Sequence, residues 1–278
     1  IQNIILNATN RIQPLYTVTG DEKITEIELD LEGYLGNKPV RIGNDAYTHI
    51  QNDVYGQVLV SLLPLYTDKR LSPEGKYKSL SLVNWILDRI AETMEEPDAG
   101  LWEFRNRAQM HCYTFLFHWV GSKSALKIAE VLNNEGIKKR AEKLIALSAE
   151  KIEACFDPNI GTYTQAIGVP FLDASCLQLI TLNYLDPTSE KARKMVEIYE
   201  KELKTDQGLF YRYKHEDDFG KPESTFLVCA FWYVEALASV GRIDDAVKTF
   251  ESLLQFTNHL GIFSEDVDPD GGQWGNLP

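Results

Sequence analysis

Two kinds of helical segment alternate along most of this 278-residue chain, and that alternation limits its fold more than any other feature. From Thr48 onward apolar residues recur at helical period. Ile50, Val54, Val58, Leu59 and Leu62 share one face, Thr48-x-x-Gln51 reads as a capping box, and Pro64 is expected to help end the helix. Further helices are expected at about 76–95, 107–133 with Gly121 a candidate break, 136–155, 172–184, 187–204, 223–240 and 242–257. Asn106, Asp173 and Asp186-Pro187 read as their caps. The segments near 76–95, 136–155, 187–204 and 242–257 are amphipathic. In the second, Ile137, Ala141, Leu144, Ile145 and Ile152 oppose Lys138, Lys139, Glu142, Lys143 and Glu150. Such helices lie outside with one face wet. The early parts of 107–120, 172–184 and 223–240 are apolar nearly all round, as in Phe226-Leu227-Val228-Cys229-Ala230-Phe231-Trp232, and are expected inside.

The links alternate as well. Outer helices lead into a Gly-x-aromatic step, at Gly100-Leu101-Trp102, Gly161-Thr162-Tyr163, Gly208-Leu209-Phe210 and Gly261-Ile262-Phe263, whereas the returning links are mostly short, as at Leu185-Asp186-Pro187. The repeat is too uneven for a solenoid but fits helix hairpins with variable loops. One end of the assembly therefore collects long loops rich in aromatic and charged residues, where a site is expected. Inner and outer helices in alternation curl into a toroid, of which this chain would hold part. Ahead of them, Ile4-Ile5-Leu6 reads as the end of a helix, and residues 15–42 as extended, with Leu15–Thr19 and Ile24–Leu29 paired across Gly20-Asp21-Glu22-Lys23.

Charge and cysteine usage narrow the function. A net charge of −13 disfavours nucleic acid and anionic membrane, both of which need a basic face. A neutral ligand such as a sugar fits better. Cys112, Cys155, Cys176 and Cys229 lack C-x-x-C spacing and sit in apolar helical stretches, which points to buried reduced thiols and a cytoplasmic location. The sequence shows no phosphate-binding loop, nucleophile elbow or dinucleotide fingerprint, and its histidines lack metal-ligand spacing, so no cofactor and no metal are expected.

Chemistry concentrates in two of the rim loops. Glu103 stands between Trp102 and Phe104, two residues from Arg105, so apolar rings and a cation flank one carboxylate. It is either a general acid or a solvated partner of Arg105. The fourth loop supplies Glu265 at the matching place in the repeat, either as a base or as one of several solvated acids. Inverting cleavage of a glycosidic bond needs such a pair, an acid for the leaving oxygen and a base for water, about 6.5–9.5 Å apart. Asp266-x-Asp268-x-Asp270-Gly271 also matches half of a calcium loop, although its twelfth position is Leu277 rather than glutamate. Arg212-Tyr213, followed by Glu216-Asp217-Asp218, offers a planar donor fork beside an aromatic face suited to sugar hydroxyls, or a surface arginine neutralised by those acids. Arg41 has the same standing.

Gly100-Leu101-Trp102-Glu103-Phe104-Arg105 with His111-Cys112-Tyr113, the stretch Pro39–Asn44 with Gln51-x-Asp53-x-Tyr55-Gly56, and Gly261–Glu265 running to Gly275-Asn276-Leu277-Pro278 together resemble glycoside hydrolase family 15, the glucoamylase, glucodextranase and prokaryotic trehalase group. The resemblance runs from about residue 15 and implies an all-α fold, with residues 1–278 part of one (α/α)6 catalytic domain carrying a small β-hairpin. About eight of its twelve barrel helices would be present. It implies an inverting exo-hydrolase with Glu103 as acid and Glu265 as base, and Arg41, Leu101, Trp102, Arg105, Arg212 and Tyr213 binding substrate. A glucoamylase-like activity is the main expectation, with trehalase the enzymatic alternative and a non-catalytic carbohydrate-binding fragment the alternative of another class. The early Trp-x-Arg-Asp segment of the family does not occur here, so an N-terminal part of the same protein is an expected partner.

Overall fold

The computed structural model describes residues 11–71, 80–218 and 220–275. The readings of Ile4–Leu6, of the start of the 76–95 helix and of Asn276–Pro278 lie outside them. Eight α-helices occur among the described residues: α1 Asp53–Thr67, α2 Ser81–Thr93, α3 Cys112–Val131, α4 Glu135–Glu153, α5 Gln178–Thr181, α6 Glu190–Leu203, α7 Leu227–Ser239 and α8 Ile243–Leu253. The strands are short: β1 Ile27–Leu29, β2 Val40–Ile42, β3 Phe156–Asp157, β4 Thr162–Tyr163, β5 Thr225–Phe226, β6 Asp266–Val267 and β7 Gln273–Trp274. The chain divides into two compact units, one built from residues up to Met110 with Phe117–Ala149, the other from His111–Leu116 with the residues from Glu150 on.

In the first unit α1 packs on α2, whose Leu82, Val83, Ile86, Leu87 and Ile90 are buried, and Tyr55 meets Trp85 edge to face at 6.1 Å. Helix α1 starts at Asp53, later than the pattern predicts. Thr48 closes a short 3-10 turn by donating to the Asp45 carbonyl, and Gln51 reaches Gly100 instead of capping. Pro64 sits in the last turn of α1, and its carbonyl still accepts from the Asp68 amide at 2.8 Å, so the helix continues to Thr67. Gly121 does not break α3. A Cβ there would come within 2.5 Å of the Gly56 Cα, so the glycine serves close approach of α1 and α3. The hairpin is also re-partnered. β1 pairs with β2 in the register Glu28 opposite Arg41, while the Thr17 and Thr19 hydroxyls bond Asp21 and fold residues 17–21 into a turn.

In the second unit α7 packs on α5 and α8, and Phe210 stacks on Tyr233 at 4.9 Å. Asp173 caps the 3-10 turn Ala174–Leu177 by accepting from the Ser175 amide, as the sequence predicts, but α6 is capped by Ser189, with Asp186 making its own turn upstream. Asn106 lies six residues ahead of α3 and is not its cap, because the chain between them runs extended through Gln109. The opening of α3 and residues 173–180 are buried all round as expected, whereas α7 exposes Val228. Helix α8 buries Ala246, Thr249 and Leu253 yet presents a second apolar stripe of Ile243, Val247 and Phe250, continued by Leu254 just past its end, to solvent. All four cysteines are free and buried. Hydrogen bonding from Cys155 and Cys176 pushes the Cys112 thiol up, and burial adds to it. No helix among the described residues is long and apolar enough to cross a membrane.

Candidate active site

In the first unit the candidate acid stands on a loop zipped to the segment before α1. The Ala99 amide donates to the Ile50 carbonyl at 2.8 Å, the Gln51 side-chain amide donates to the Gly100 carbonyl at 3.1 Å, and Asp98 and Gln109 exchange both backbone bonds. The buried Asp98 carboxylate accepts from the Asn52 amide at 2.8 Å through one oxygen and from the Gly100 amide at 3.1 Å through the other. Between these anchors the chain makes a tight turn. The Glu103 amide donates to the Gly100 carbonyl and the Phe104 amide to the Ala99 carbonyl.

Gly100 has φ +66° and Glu103 φ +57°, so a glutamate occupies the left-handed region at a cost on the order of 1 kcal/mol or more. Such a conformation persists only where its surroundings over-determine it. The half-buried Leu101, Trp102 and Glu103 form the turn itself, while Phe104 is buried and covered by the Arg107 guanidinium at 5.4 Å.

Arg41 and Arg105 come together through a residue that the sequence reading passed over. Glu26 lies 3.0 Å from Arg41 Nε and 3.7 Å from Arg105 Nη2, and Arg41 also bridges to Glu28 at 3.2 Å across the β1–β2 register. Arg105 thus shares Glu26 with Arg41. Beneath the turn, His118 Nε2 meets the Asn52 carbonyl at 2.9 Å and Asp53 is buried. Burial, then the charge of Asp98, pushes the Asp53 carboxyl up to about 7, and burial lowers His118 to about 4.

In the second unit Glu265 immediately precedes β6, the centre of the β5–β6–β7 sheet, and its carbonyl accepts from the Leu227 amide at the first residue of α7. Next to it Asp266 accepts from Ser224 Oγ at 2.7 Å. Burial pushes the Asp266 carboxyl up, the Ser224 bond and the Arg212 charge oppose this, and the Glu265 charge adds to the rise. Arg212 therefore belongs to the same neighbourhood as Glu265. Its guanidinium lies 3.4 Å from Asp217, which also accepts from the Tyr213 hydroxyl at 2.7 Å. Tyr213 is buried and stacked on His215 at 4.3 Å, so it holds Asp217 rather than presenting an open face.

The aspartate run closes a hairpin. Asp268 accepts from the amides of Asp270 and Gly272 and from the Trp274 indole at 2.6 Å, which joins β6 to β7 and, with the indole bond first, holds that carboxyl below its ordinary range. Among the described residues no group of three or more His, Cys, Asp or Glu is placed to hold a metal ion. Asp98 was legible only as a loop residue, and Gly275 only as part of the stretch that carries the family resemblance. The Asp-x-Gly spacing of Asp98 and Gly100 is an Asx-turn signal that could have drawn notice to the first.

The family model of glycosyl hydrolases family 15 matches residues 2–278. The chain is similar to the protein named trehalase of Thermoplasma volcanium, 31% identical over 279 residues covering 99% of this chain and 44% of that protein. It is 33% identical over 281 residues to the trehalase of Mycobacterium tuberculosis, covering 98% of this chain and 40% of the relative. The chain spans less than half the length of these curated relatives. A solved glycosidase in complex with glucose superposes with TM-score 0.69 at 17% identity, over 87% of this chain and 67% of its own. A bacterial glucoamylase complexed with acarbose does so with TM-score 0.61 at 20% identity, over 79% of this chain and 37% of its own. At these identities the likeness shows the fold alone, which is mostly helical with small hairpins and of the (α/α)6 type.

Proposed function

The chain belongs to glycosyl hydrolase family 15, and on that premise we propose that it forms part of one (α/α)6 catalytic domain that hydrolyses α,α-trehalose with inversion. The observation that carries this reading is the match of two curated relatives named trehalase across 98–99% of the chain. The glucoamylase-like activity expected first from the sequence gives way to the trehalase alternative, because the glucoamylase likeness is one of fold.

In the proposed reaction Glu103 protonates the glycosidic oxygen as the bond to the anomeric carbon breaks. Glu265 takes a proton from the water that attacks that carbon from the opposite face, through an oxocarbenium-like transition state. The backbone of Leu101 and Trp102 holds the terminal glucose. Arg212, steadied by Asp217 and Tyr213, donates to hydroxyls, and Arg41 and Arg105 act as a pair set by Glu26. Two carboxylates and water suffice, so the reaction proceeds without a cofactor.

Turnover of trehalose, maltose and isomaltose by the intact protein, with the first-formed anomers followed by proton NMR, tests the proposal. Inversion at one carbon of trehalose releases one β-glucose, while the other glucose leaves with its α configuration. Equal initial α and β signals are therefore expected. A preference for maltose would return the glucan reading, α-glucose alone would mean retention, and sugar binding without turnover would favour a non-catalytic module.

A further inference from the structure

Glu103 lies in a backbone conformation that its own sequence does not favour, so something outside the turn must impose it. The groups that do so converge on one residue. The Gly100 carbonyl is held by Gln51 and the Gly100 amide by Asp98, whose other oxygen holds the Asn52 amide. The same Gly100 carbonyl accepts from the Glu103 amide. A carboxylate is the one side chain of this size that can accept from two separate amides with both oxygens. An asparagine would have to turn an NH₂ group against one of them.

Asp98 is 1% exposed, so those two bonds have no ready substitute from solvent. It is also close enough to Asp53 that its charge adds to the rise of that neighbouring carboxyl.

We propose that Asp98 is the positioning residue of the general acid: by tying Gly100 to the start of α1, it holds the 100–103 turn in which Glu103 is presented to the leaving oxygen. The proposal rests on Glu103 being the acid. It also sets a requirement that the loop sequence alone does not reveal, because the second tie of Asp98 is to a main-chain atom 46 residues away.

The test exploits what an acid is for. A sugar leaving group is a poor one and needs its oxygen protonated, whereas fluoride leaves α-glucosyl fluoride with little protonation, and both substrates need the same base and the same glucose pocket. In the intact protein, Asp98→Asn is expected to lower kcat on the disaccharide that the wild type turns over fastest by about a hundredfold. On α-glucosyl fluoride it should lower kcat less than tenfold, with little change in KM. Equal losses on both substrates, or no loss on either, would overturn the proposal, since a merely structural role does not distinguish leaving groups. Should Asp98→Asn fail to fold by circular dichroism, Gln51→Ala decides. It frees the carbonyl of Gly100, on the other side of the same Cα, and the same sparing of the fluoride is required of it. Glu103→Gln is measured in parallel. If it shows no sparing of the fluoride, the acid assignment falls and the role of Asp98 with it; if Glu103→Gln spares the fluoride and Asp98→Asn does not, only the positioning role is lost.

Discussion

Gly275 stands so close to Glu265 that a Cβ built on it would lie 2.6 Å from Oε2 and 3.0 Å from Cβ of the glutamate. The candidate base is therefore confined by a missing side chain as well as by its backbone bond to α7. Gly275→Ala should push the carboxylate aside and lower kcat by about ten- to a hundredfold, since small displacements of a reacting group carry losses of that size. Gly271 supplies the control. It has φ +88° in the same hairpin and open space around its Cα, so Gly271→Ala introduces similar backbone strain without the clash. It is expected to keep kcat within a few-fold while lowering the melting temperature comparably. Equal kcat losses in the two variants would show that strain, and not contact with Glu265, is responsible.

The two carboxylates should fail in different ways. Glu103→Gln and Glu265→Gln are each expected to remove most turnover, on the order of a thousandfold, with sugar affinity by calorimetry little changed. Added azide should restore turnover to Glu265→Ala and yield β-glucosyl azide, because a small anion can attack from the water side without a base. It should not restore disaccharide turnover to Glu103→Ala. Rescue of both variants, or of the second alone, would reverse or cancel the assigned roles.

Helix α8 shows why the 278-residue chain on its own should associate. Ile243, Val247, Phe250 and Leu254 recur every three or four residues and are exposed among the described residues, although the Phe250 ring also meets Phe231 of α7. Contiguous apolar surface of this kind is uncommon on monomers. Light scattering should find the isolated chain larger than a monomer, and Val247→Lys with Phe250→Lys should shift it toward one. A monodisperse wild-type monomer with a sharp melt would show that the stripe is tolerated.

What the sequence disclosed was whatever is written in local period. The polar-apolar stripe of 136–155 became α4 over Glu135–Glu153, and the four Gly-x-aromatic steps all have their glycine at positive φ. What stayed hidden depends on partners remote in sequence. Gly121 reads as a break until Gly56 is seen against it, and Leu15–Thr19 reads as a strand until the Thr17 and Thr19 hydroxyls are found on Asp21, leaving β1 to pair with β2. The candidate acid was legible because a glutamate between two aromatics is conspicuous. The remote half of its support was not, because Asp98 reaches the main-chain amide of Asn52, 46 residues away, and a main-chain partner leaves no trace in side-chain composition. Tyr213 shows the reverse case: its place beside an arginine suggested a sugar platform, and its burial turned it into a prop for Asp217.

Two buried groups next to Asn52, Asp53 beside it in the chain and His118 on its carbonyl, have pH effects that oppose each other. Asp53 carries a carboxyl raised to about 7 by burial and the Asp98 charge, against an ordinary value near 4, so between those limits the folded protein holds a proton that the unfolded chain has lost. Stability from this group therefore falls as pH rises from about 4 to about 7, by up to tenfold in the folding equilibrium per pH unit. His118, lowered to about 4 by burial from an ordinary 6.5, does the opposite. The unfolded chain holds the extra proton between those limits, so stability from His118 is present above about 6.5 and is lost as pH falls toward 4. Across pH 4.5–6.5 the two slopes largely cancel in the wild type. Asp53→Asn keeps a neutral side chain of the same shape beside Gln57 and removes one slope, so its stability relative to wild type should climb with pH over that range. His118→Gln, which can still donate to the Asn52 carbonyl, should instead lose ground as pH rises. The double variant should again run parallel to wild type. Urea unfolding at pH 4.5, 5.5 and 6.5 measures all four proteins. Parallel curves for the single variants would mean that neither group titrates away from its ordinary value, and two single variants moving in the same direction would mean that burial does not act on them as described.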